Sequence, residues 1–497
     1  MAKPMNLPPM RLDRLSAEPM FRQLYGEVKS AILSGALTPG MQLPPSRTLA
    51  AHLGVSRQTV VNAYEQLIAE GYFSCTVGRG SFVSDMPVRD RHRRGAEPPR
   101  RDAAVVGRPL STRGLAFVDP RIRMGGQAGP PRAFRTGTPA LELFPFDLWA
   151  RLEARRWRRP PVPLGYADPS GYPPLRELLA VHLRVTRGVR CEPAQVIVTS
   201  GSQQSMHLVA QLLLNPGDKA WVENPGYRGA LAALRTSGVE AVPVAVDSEG
   251  LRVGDGVAVA PRARLACVTP SHQYPLGATM SLSRRLALLD WAEREQAWIL
   301  EDDYDSEYRY EGPVLASLQS LDRAGSVLYI GTLSKSLFPG LRLGYLVVPP
   351  ALVDAFGAGK AAIDRMSPVM PQVVLADFIA GGHFGRQVRR TREVYGERRQ
   401  VLLDELAHQL GGQVLPGPSQ AGLQLAVAFR PPVDDQAFAL AAARAGVEVR
   451  ALSSFYADAD TASPPPRASG LLLGFSCVAP KDIRPGVAAL GRLLAHA

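Results

Sequence analysis

The stretch that decides the fold is "LSKSLFPGLRLGYL", residues 333–346. Apolar segments precede and follow it, which predicts a loop between two strands. Lys335 lies in this loop beside Ser334, and Arg342 follows seven residues later. A loop lysine is usually a solvated surface residue. A lysine can also condense with an aldehyde, an arginine fork can bind a phosphate, and a neighbouring serine can donate further. The stretch therefore indicates either an exposed loop or a covalent anchor with a phosphate site.

Three earlier segments place polar residues at the ends of predicted strands. "VIVTSGSQQSM" puts Ser202 and Gln203 at the start of an apolar helix, where free N–H groups favour a phosphate, although close packing alone also favours small residues there. Tyr227 follows a Pro-Gly turn in "ENPGYRG" and is a candidate to stack on a planar ring or a plain core tyrosine. "TPSHQYPLGATM" puts His272 and Gln273 at an edge where α/β proteins bind ligands. A lone histidine is as often structural.

A fourth segment, "AWILEDDYDSEYRY" (297–310), places acids directly after an apolar strand. A carboxylate from this cluster aimed at a pyridine nitrogen would keep it protonated, and the Tyr304 phenol could hydrogen-bond a ring hydroxyl. The alternative is a calcium site or a solvated acidic cluster. No one of these segments decides the chemistry, but their order along the chain is informative.

The first 85 residues predict a helix-turn-helix followed by a hairpin. Residues 18–35 have a helical apolar stripe, Ser46 is predicted to cap a second helix, and Gly54 is predicted to form the turn. Ser56 is predicted to cap a third helix, which would turn Val60 inward and leave polar residues outward near its start, where base contacts occur. "GYFSCTVGRGSFVSD" predicts the hairpin, with residues 78–80 at its tip.

These residues resemble the winged helix-turn-helix of GntR-type bacterial regulators. The resemblance lies in "GALTPGMQLPPSRTLA", "LGVSRQTVVNAYEQL" and "GRGSFV". It implies contact with double-stranded DNA through Arg47, Ser56, Arg57, Gln58, Thr59 and Arg79. Each of these alone is as well explained as a solvated surface side chain, so the prediction depends on the set.

The excess positive charge lies in one segment. The chain carries a net charge of +12, and residues 86–135 hold twelve arginines and four acidic residues. Because Arg, Pro and Gly dominate this segment without helical or strand periodicity, we predict a linker over 86–134. It is either a solvated tether or an additional, non-specific contact to DNA phosphates. We therefore predict a DNA-binding domain over 1–85 and an α/β domain with a mainly parallel sheet over 135–497.

The large domain resembles the fold type I pyridoxal phosphate enzymes, the aspartate aminotransferase superfamily. Together with the front end, it resembles the MocR family of regulators, with its GabR-like and PdxR-like members. The resemblance implies that pyridoxal 5'-phosphate is the cofactor and that the protein is a homodimer. In this family Tyr166, in "GYADPSGYPPL", would reach the partner subunit's phosphate. The implied cofactor-binding residues are Lys335 as covalent anchor, Asp302, Tyr304, Tyr227, Arg342, Ser202, Gln203, Ser334, Gln273 and Tyr166.

The implied function is a transcriptional regulator that uses pyridoxal 5'-phosphate as effector or sensor and reads two half-sites. The effector is expected to be a small amine or a B6 vitamer, which links the protein to amine or vitamin B6 metabolism. In the GABA-sensing type, one arginine occupies the position of Gly229 and another lies near residues 471–473, which here are all leucine. Arg228 or Arg467 is a possible replacement. The alternatives are an active aminotransferase that carries a DNA-binding domain and a GntR repressor whose large domain has lost its cofactor.

Composition excludes other classes. No apolar run has the roughly 18 residues that a membrane helix needs, and the start, "MAKPMNLPPMRLDRL", lacks the apolar stretch of a secretory signal. The four cysteines are far apart and have no metal-ligand or redox spacing. We therefore expect a cytoplasmic protein with reduced cysteines and without a metal site.

Overall fold

The computed structural model describes residues 7–76, 80–85, 109–119, 129–160, 165–457 and 467–495. The chain forms two compact units, Met1–Pro109 and Leu110–Ala497, called here the amino-terminal unit and the large unit. The predicted boundaries at residues 85 and 134 stay predictions. Residues 86–108 and 120–128 of the predicted linker lie outside the described residues. The part between them contains a helix at Thr112–Phe117. This helix packs within the large unit, where Arg113 Nε donates to Thr236 O (2.9 Å).

The amino-terminal unit has three helices and a hairpin: α1 (Met20–Leu33), α2 (Ser46–Leu53), α3 (Arg57–Ala69), β1 (Phe73–Thr76) and β2 (Gly80–Val83). As predicted, Gly54 ends α2 in the left-handed region (φ 62°), and Ser56 caps α3 by accepting from Thr59 N (3.1 Å). The predicted Ser46 cap is wrong. Pro45 holds the cap position, so Ser46 is the first helical residue and accepts instead from Arg57 Nε (3.5 Å).

The core of this unit follows the predicted periodicity. The side chains at i, i+3, i+4 and i+7 of α3 are all buried and pack against the apolar stripe of α1; they are Val60, Ala63, Tyr64 and Leu67. The hairpin pairs Phe73 with Val83, and both side chains enter this core. The outer face at the start of α3 is thereby fixed toward solvent. The hairpin tip, 77–79, lies outside the described residues.

An eight-stranded sheet forms the centre of the large unit. In chain order the elements are α4 (Thr112–Phe117), α5 (Phe146–Arg158), α6 (Pro173–Arg187), β3 (Val196–Thr199), α7 (Ser202–Leu213), β4 (Lys219–Asn224), α8 (Arg228–Thr236), β5 (Glu240–Asp247), β6 (Gly250–Leu251), α9 (Val253–Val259), β7 (Leu265–Val268), α10 (Leu282–Glu295), β8 (Trp298–Asp303), β9 (Val327–Thr332), β10 (Gly344–Val347), α11 (Val353–Asp364) and α12 (Val369–Ala380). The strand order is β3-β10-β9-β8-β7-β4-β5-β6.

The sheet is mainly parallel, as predicted. Strands β5, β4, β7, β8 and β9 run in parallel, and β10 is antiparallel to both of its neighbours, β3 and β9. Both faces are covered by helices, so the inner strands β7, β9 and β10 are buried along their whole length, whereas β5 near the edge is only partly buried. The turn from β9 into β10 carries Lys335, which therefore lies at the edge where the parallel strands end.

A second, antiparallel sheet completes the large unit. Its elements are α13 (His383–Leu410), β11 (Val414–Pro416), β12 (Gln424–Phe429), α14 (Asp435–Arg444), β13 (Arg450–Ala451), β14 (Gly470–Gly474) and α15 (Pro480–Leu494), with the strand order β11-β12-β14-β13. Phe134 is fully buried in the core between this small sheet and its helices. All four cysteines are free. No helix among the described residues is long and apolar enough to cross a membrane.

A buried ion pair joins the end of α6 to the end of β8. Arg187 Nε donates to Asp303 Oδ2 (2.7 Å), its Nη1 to Leu315 O (2.6 Å) and its Nη2 to Ser271 Oγ (2.7 Å). The Tyr329 hydroxyl on β9 also donates to Asp303. The pair thus holds one helix, two strands and a loop together directly behind the acidic end of β8.

We expect Arg187→Met to destabilise the large unit by about 3–5 kcal/mol, because Asp303 would remain buried without its cation. The matched control is Arg184→Met on the same helix, whose exposed pair with Glu192 contributes about 0–1 kcal/mol. Urea unfolding of the full chain measures both, since all five tryptophans lie in the large unit. Equal midpoints for the two variants would contradict this role of the buried pair.

Candidate functional site

A large cavity lies where the two sheets of the large unit meet. Its volume is about 670 Å³. The large sheet contributes residues that follow the carboxyl ends of its strands, and the small sheet contributes Gln424 and Arg450, the first residues of β12 and β13. Parallel strands deliver their ends to one edge, so residues far apart in sequence converge there.

Lys335 projects into this cavity as a half-buried amine. Its Nζ donates to the carbonyl of Gly137 (2.7 Å). A side chain at residue 137 would not fit, because a Cβ there would lie 2.9 Å from Lys335 Nζ. Burial lowers the pKa of Lys335, although Asp305 and Asp302 act in the opposite direction. The neutral, nucleophilic form is therefore favoured at lower pH than for a solvated lysine.

The start of α7 and Arg342 form an anion-binding corner. Ser202 and Gln203 begin the helix after Gly201, whose φ is +123°. This positive φ favours glycine, and the Arg342 guanidinium lies beside it, since its Nη2 is 3.5 Å from the position that a Cβ of residue 201 would take. Arg342 has no hydrogen bond or ion pair from its guanidinium within the described part of the chain. A helix start beside a guanidinium suits a phosphate group.

Asp302 ends in the cavity with an unsatisfied oxygen. Its Oδ1 is buried and has no hydrogen-bond partner among the described residues. Burial, followed by the neighbouring Asp303, raises the pKa of Asp302 to about 7. A buried carboxylate without a partner is costly, so this oxygen is suited to a cationic N–H donor from a ligand.

A histidine behind Tyr304 sets the direction of its hydroxyl. His272 Nδ1 lies 3.0 Å from Asp305 Oδ2 and 3.0 Å from Tyr304 Oη. Because a carboxylate only accepts, the shared proton lies on Nδ1 and the phenol oxygen accepts as well. Burial and then Asp305 raise the pKa of Tyr304 well above its usual value, so it keeps its own hydrogen. That hydrogen is left to donate into the cavity.

Two aromatic rings border the cavity on the β4 side. Tyr227 and Tyr274 meet edge to face, with ring centres 5.9 Å apart. The Tyr227 ring also occupies the space that a side chain at Gly229 would need, since a Cβ there would lie 2.3 Å from Tyr227 Cε1. An arginine at position 229 is thus incompatible with this placement of Tyr227.

Eight of the ten predicted cofactor residues lie around this one cavity; they are Lys335, Asp302, Tyr304, Tyr227, Arg342, Ser202, Gln203 and Ser334. Gln273 does not line it. The amide of Gln273 donates to Glu223 Oε2, Pro225 O and Tyr274 O, and its oxygen accepts from Leu276 N, so the side chain braces its own loop. Tyr166 is 88% exposed and lies away from this cavity.

Sequence reasoning missed Tyr274 and Arg450. Tyr274 follows Gln273 directly in the same motif, and it is the Tyr274 side chain that lines the cavity. Arg450 has no local signal, because it reaches the cavity only through the pairing of β13 with β14, where it lies opposite Leu472. Arg228, the suggested replacement, donates from Nη1 to Ser454 O (3.0 Å) and does not line this cavity, and neither does Arg467.

Five of the six predicted DNA-binding residues lie among the described residues of the amino-terminal unit. Arg47, Ser56, Arg57 and Gln58 are exposed, and Thr59 is half-buried with its hydroxyl 2.8 Å from Ser56 Oγ. The Gln58 amide donates to Asn62 Oδ1 (2.7 Å). Arg79 lies outside the described residues. Arg57 is thus the most available donor at the start of α3.

Comparisons with known proteins match both units. The family model "Bacterial regulatory proteins, gntR family" covers residues 21–83, and "Aminotransferase class I and II" covers 154–466. The chain is 40% identical over 483 residues to "Probable rhizopine catabolism regulatory protein MocR" of Rhizobium meliloti, across 96% of this chain and 94% of the relative. It is 31% identical to "HTH-type pyridoxine biosynthesis transcriptional regulator PdxR" of Corynebacterium glutamicum, across 87% and 88%.

Solved aminotransferases share the fold of the large unit. The kynurenine aminotransferase of Pyrococcus horikoshii superposes with a TM-score of 0.67 at 27% identity, across 74% of this chain and 92% of that one. An aminotransferase fold implies dependence on pyridoxal 5'-phosphate. The cavity fits that group, because Asp302 has an unsatisfied buried oxygen and the Gly201–Arg342 corner has the donors that a phosphate requires.

We expect Asp302→Asn to weaken binding of pyridoxal 5'-phosphate by roughly 10–100-fold, because a charged acceptor for the ring nitrogen is lost. Equilibrium dialysis with absorbance detection measures the affinity. Asp290→Asn, at an exposed position of α10, is the control and should bind as the parent does. Unchanged affinity in Asp302→Asn would remove this carboxylate from the site.

Arg57→Ala is expected to weaken binding of a selected DNA site by about 1–3 kcal/mol if Arg57 contacts a base. The site is first selected from a genomic fragment library with the parent protein, and fluorescence anisotropy then gives the affinity. Arg22→Ala, an exposed change on α1, controls for the loss of one positive charge. An equal effect of both changes would show that Arg57 contributes only general charge.

Proposed function

The chain belongs to the MocR family, and we propose that it is a transcriptional regulator that senses a small amine or a B6 vitamer through pyridoxal 5'-phosphate. In this family a GntR-type DNA-binding domain precedes an aminotransferase class I and II domain. The observation that carries the proposal is the cavity itself. A half-buried lysine with a lowered pKa shares that cavity with an unsatisfied carboxylate and an arginine without an ion-pair partner in the described part of the chain.

The residues divide the task of holding the cofactor. Lys335 would be its covalent attachment point, Asp302 would accept from the ring nitrogen, and Arg342 with the α7 start would hold the phosphate. Tyr304 would donate to the ring hydroxyl, and Tyr227 would pack against the ring. When bound, pyridoxal 5'-phosphate supplies an aldehyde that joins reversibly to amines and a ring that withdraws electrons.

The regulator is proposed to act as a cytoplasmic homodimer with two DNA-binding units. The exposed Tyr166 supports a dimer, since an aromatic side chain that is 88% exposed gains from contact with a partner subunit. Two units on linkers would engage two half-sites at an effective concentration that depends on linker length. For an effector to change DNA binding, the dimer must have two arrangements that differ in their affinity for DNA. The effector must then bind one of these arrangements more tightly than the other.

We expect that the Lys335→Ala variant does not bind the cofactor covalently, and that its affinity for DNA does not change when the cofactor is added. In the parent protein, borohydride should fix pyridoxal 5'-phosphate on the peptide that contains Lys335, as detected by mass spectrometry. The variant should show no such peptide and an unchanged DNA affinity with or without the cofactor. Lys219→Ala, at a surface ion pair with Glu240, should behave as the parent.

A parent protein that binds no cofactor would refute the proposal and favour a GntR regulator whose large domain has another role. An active aminotransferase is the second candidate, favoured by the likeness of the large unit to solved aminotransferases. Steady-state transamination with several amino donors separates the two. Turnover on the order of 1 s⁻¹ or faster would favour the enzyme.

A further inference from the structure

We infer that Arg450 binds a carboxylate on the effector, so that the ligand recognised beside Lys335 is an amino acid rather than a simple amine. This inference rests on the proposed function, because it assigns a second subsite in the same cavity. Arg450 begins β13 of the small sheet and lines the cavity together with Lys335 and Asp302.

The guanidinium of Arg450 is oriented without being neutralised. Its Cζ lies 4.6 Å from the centre of the Phe455 ring, so one face of the guanidinium rests on an aromatic side chain. The Tyr274 phenol is a hydrogen-bonding neighbour of this guanidinium, and no ion pair to an acidic side chain is found for it among the described residues. A cation on an aromatic face keeps its in-plane N–H donors available, and those donors match the two oxygens of a carboxylate.

Four buried arginines of the large unit already have an acidic or carbonyl partner in the protein. Arg187 pairs with Asp303, Arg398 with Glu142 and Arg399 with Glu311, while Arg285 donates to three backbone carbonyls. Arg342 and Arg450 differ from these, and both line the same cavity. Arg342 lies at the α7 start, which suits a phosphate. Arg450 therefore provides a second, separate anion site.

Neighbouring groups favour a small planar anion. The Tyr274 phenol is close enough for Arg450 to lower its pKa, against the larger effect of burial, which raises it. Gln424, opposite Gly474 at the end of β14, lines the same region and adds an amide donor. A guanidinium, a phenol and an amide together offer several donors to one carboxylate.

The more obvious positions for an arginine are closed in this chain. The three leucines of β14 are buried, and the Tyr227 ring blocks any side chain at residue 229. Arg450 approaches from the strand beside β14, directly opposite Leu472. The cavity thus receives from Arg450 on β13 the positive charge that β14, the neighbouring strand, does not carry.

The test uses the full chain loaded with pyridoxal 5'-phosphate and three pairs of probes that differ by one carboxylate. The pairs are L-alanine with ethylamine, L-leucine with 3-methylbutylamine, and γ-aminobutyrate with propylamine. Each probe is titrated against the absorbance of the bound cofactor. In the parent, at least one amino acid should act at concentrations at least about tenfold below its partner amine, as expected for a charge-assisted contact.

Arg450→Gln should lose this preference while keeping the cofactor band, and Arg450→Lys should retain part of it. Arg444→Gln, at an exposed position on α14, should keep the full preference. The inference is overturned if no pair shows a preference in the parent, or if Arg450→Gln keeps it. Absence of the cofactor band in the parent would instead overturn the proposed function, so the two failures are distinguishable.

Discussion

Three consecutive acidic residues at the end of a fully buried strand impose the constraint on which the site depends. Burying a carboxylate costs several kcal/mol unless a donor or cation satisfies it. Since side chains alternate along a strand, Glu301 and Asp303 face one side of the sheet and Asp302 faces the other. Glu301 accepts the backbone N–H groups of Leu318 and Gln319, and Asp303 accepts from Arg187. Asp302 alone keeps an unsatisfied oxygen, and that oxygen lies in the cavity.

Two glycines with positive φ lie beside the functional groups of the cavity. Gly137 brings its carbonyl to Lys335, and Gly201 brings the start of α7 to Arg342. Both glycines have positive φ, and a side chain at either position would contact the functional group beside it. The backbone of Gly137 thus positions the Lys335 amine, and the backbone of Gly201 lies beside the Arg342 guanidinium. Because neither glycine has a side chain, the space beside these two groups remains available for a ligand.

Local patterns predicted much of this structure, because they report local physics. The periodicity of α3, the Ser56 cap and the polar residues after buried strands each reflect a few neighbouring residues, and eight of ten cofactor candidates converge on one cavity. Predictions failed where tertiary contacts decide. Pro45, not Ser46, occupies the N-cap position of α2. The Gln273 amide makes its hydrogen bonds within its own loop. Arg450 reaches the cavity through strand pairing that no local pattern encodes.

The placement of two guanidiniums gives the site a physical means of reading its ligand. Arg342 lies on the turn between β9 and β10 of the large sheet, and Arg450 lies on the small sheet. Arg342 is exposed and Arg450 is half-buried, and an anion stabilises either guanidinium more strongly where the ligand itself excludes water from the contact. The affinity of a ligand that is held only at the Arg342 corner does not depend on the separation of the two sheets. On the proposal that Arg450 holds an effector carboxylate, a ligand that carries a second anion would bind best at one separation of the sheets, and this difference in affinity would favour one arrangement of the protein.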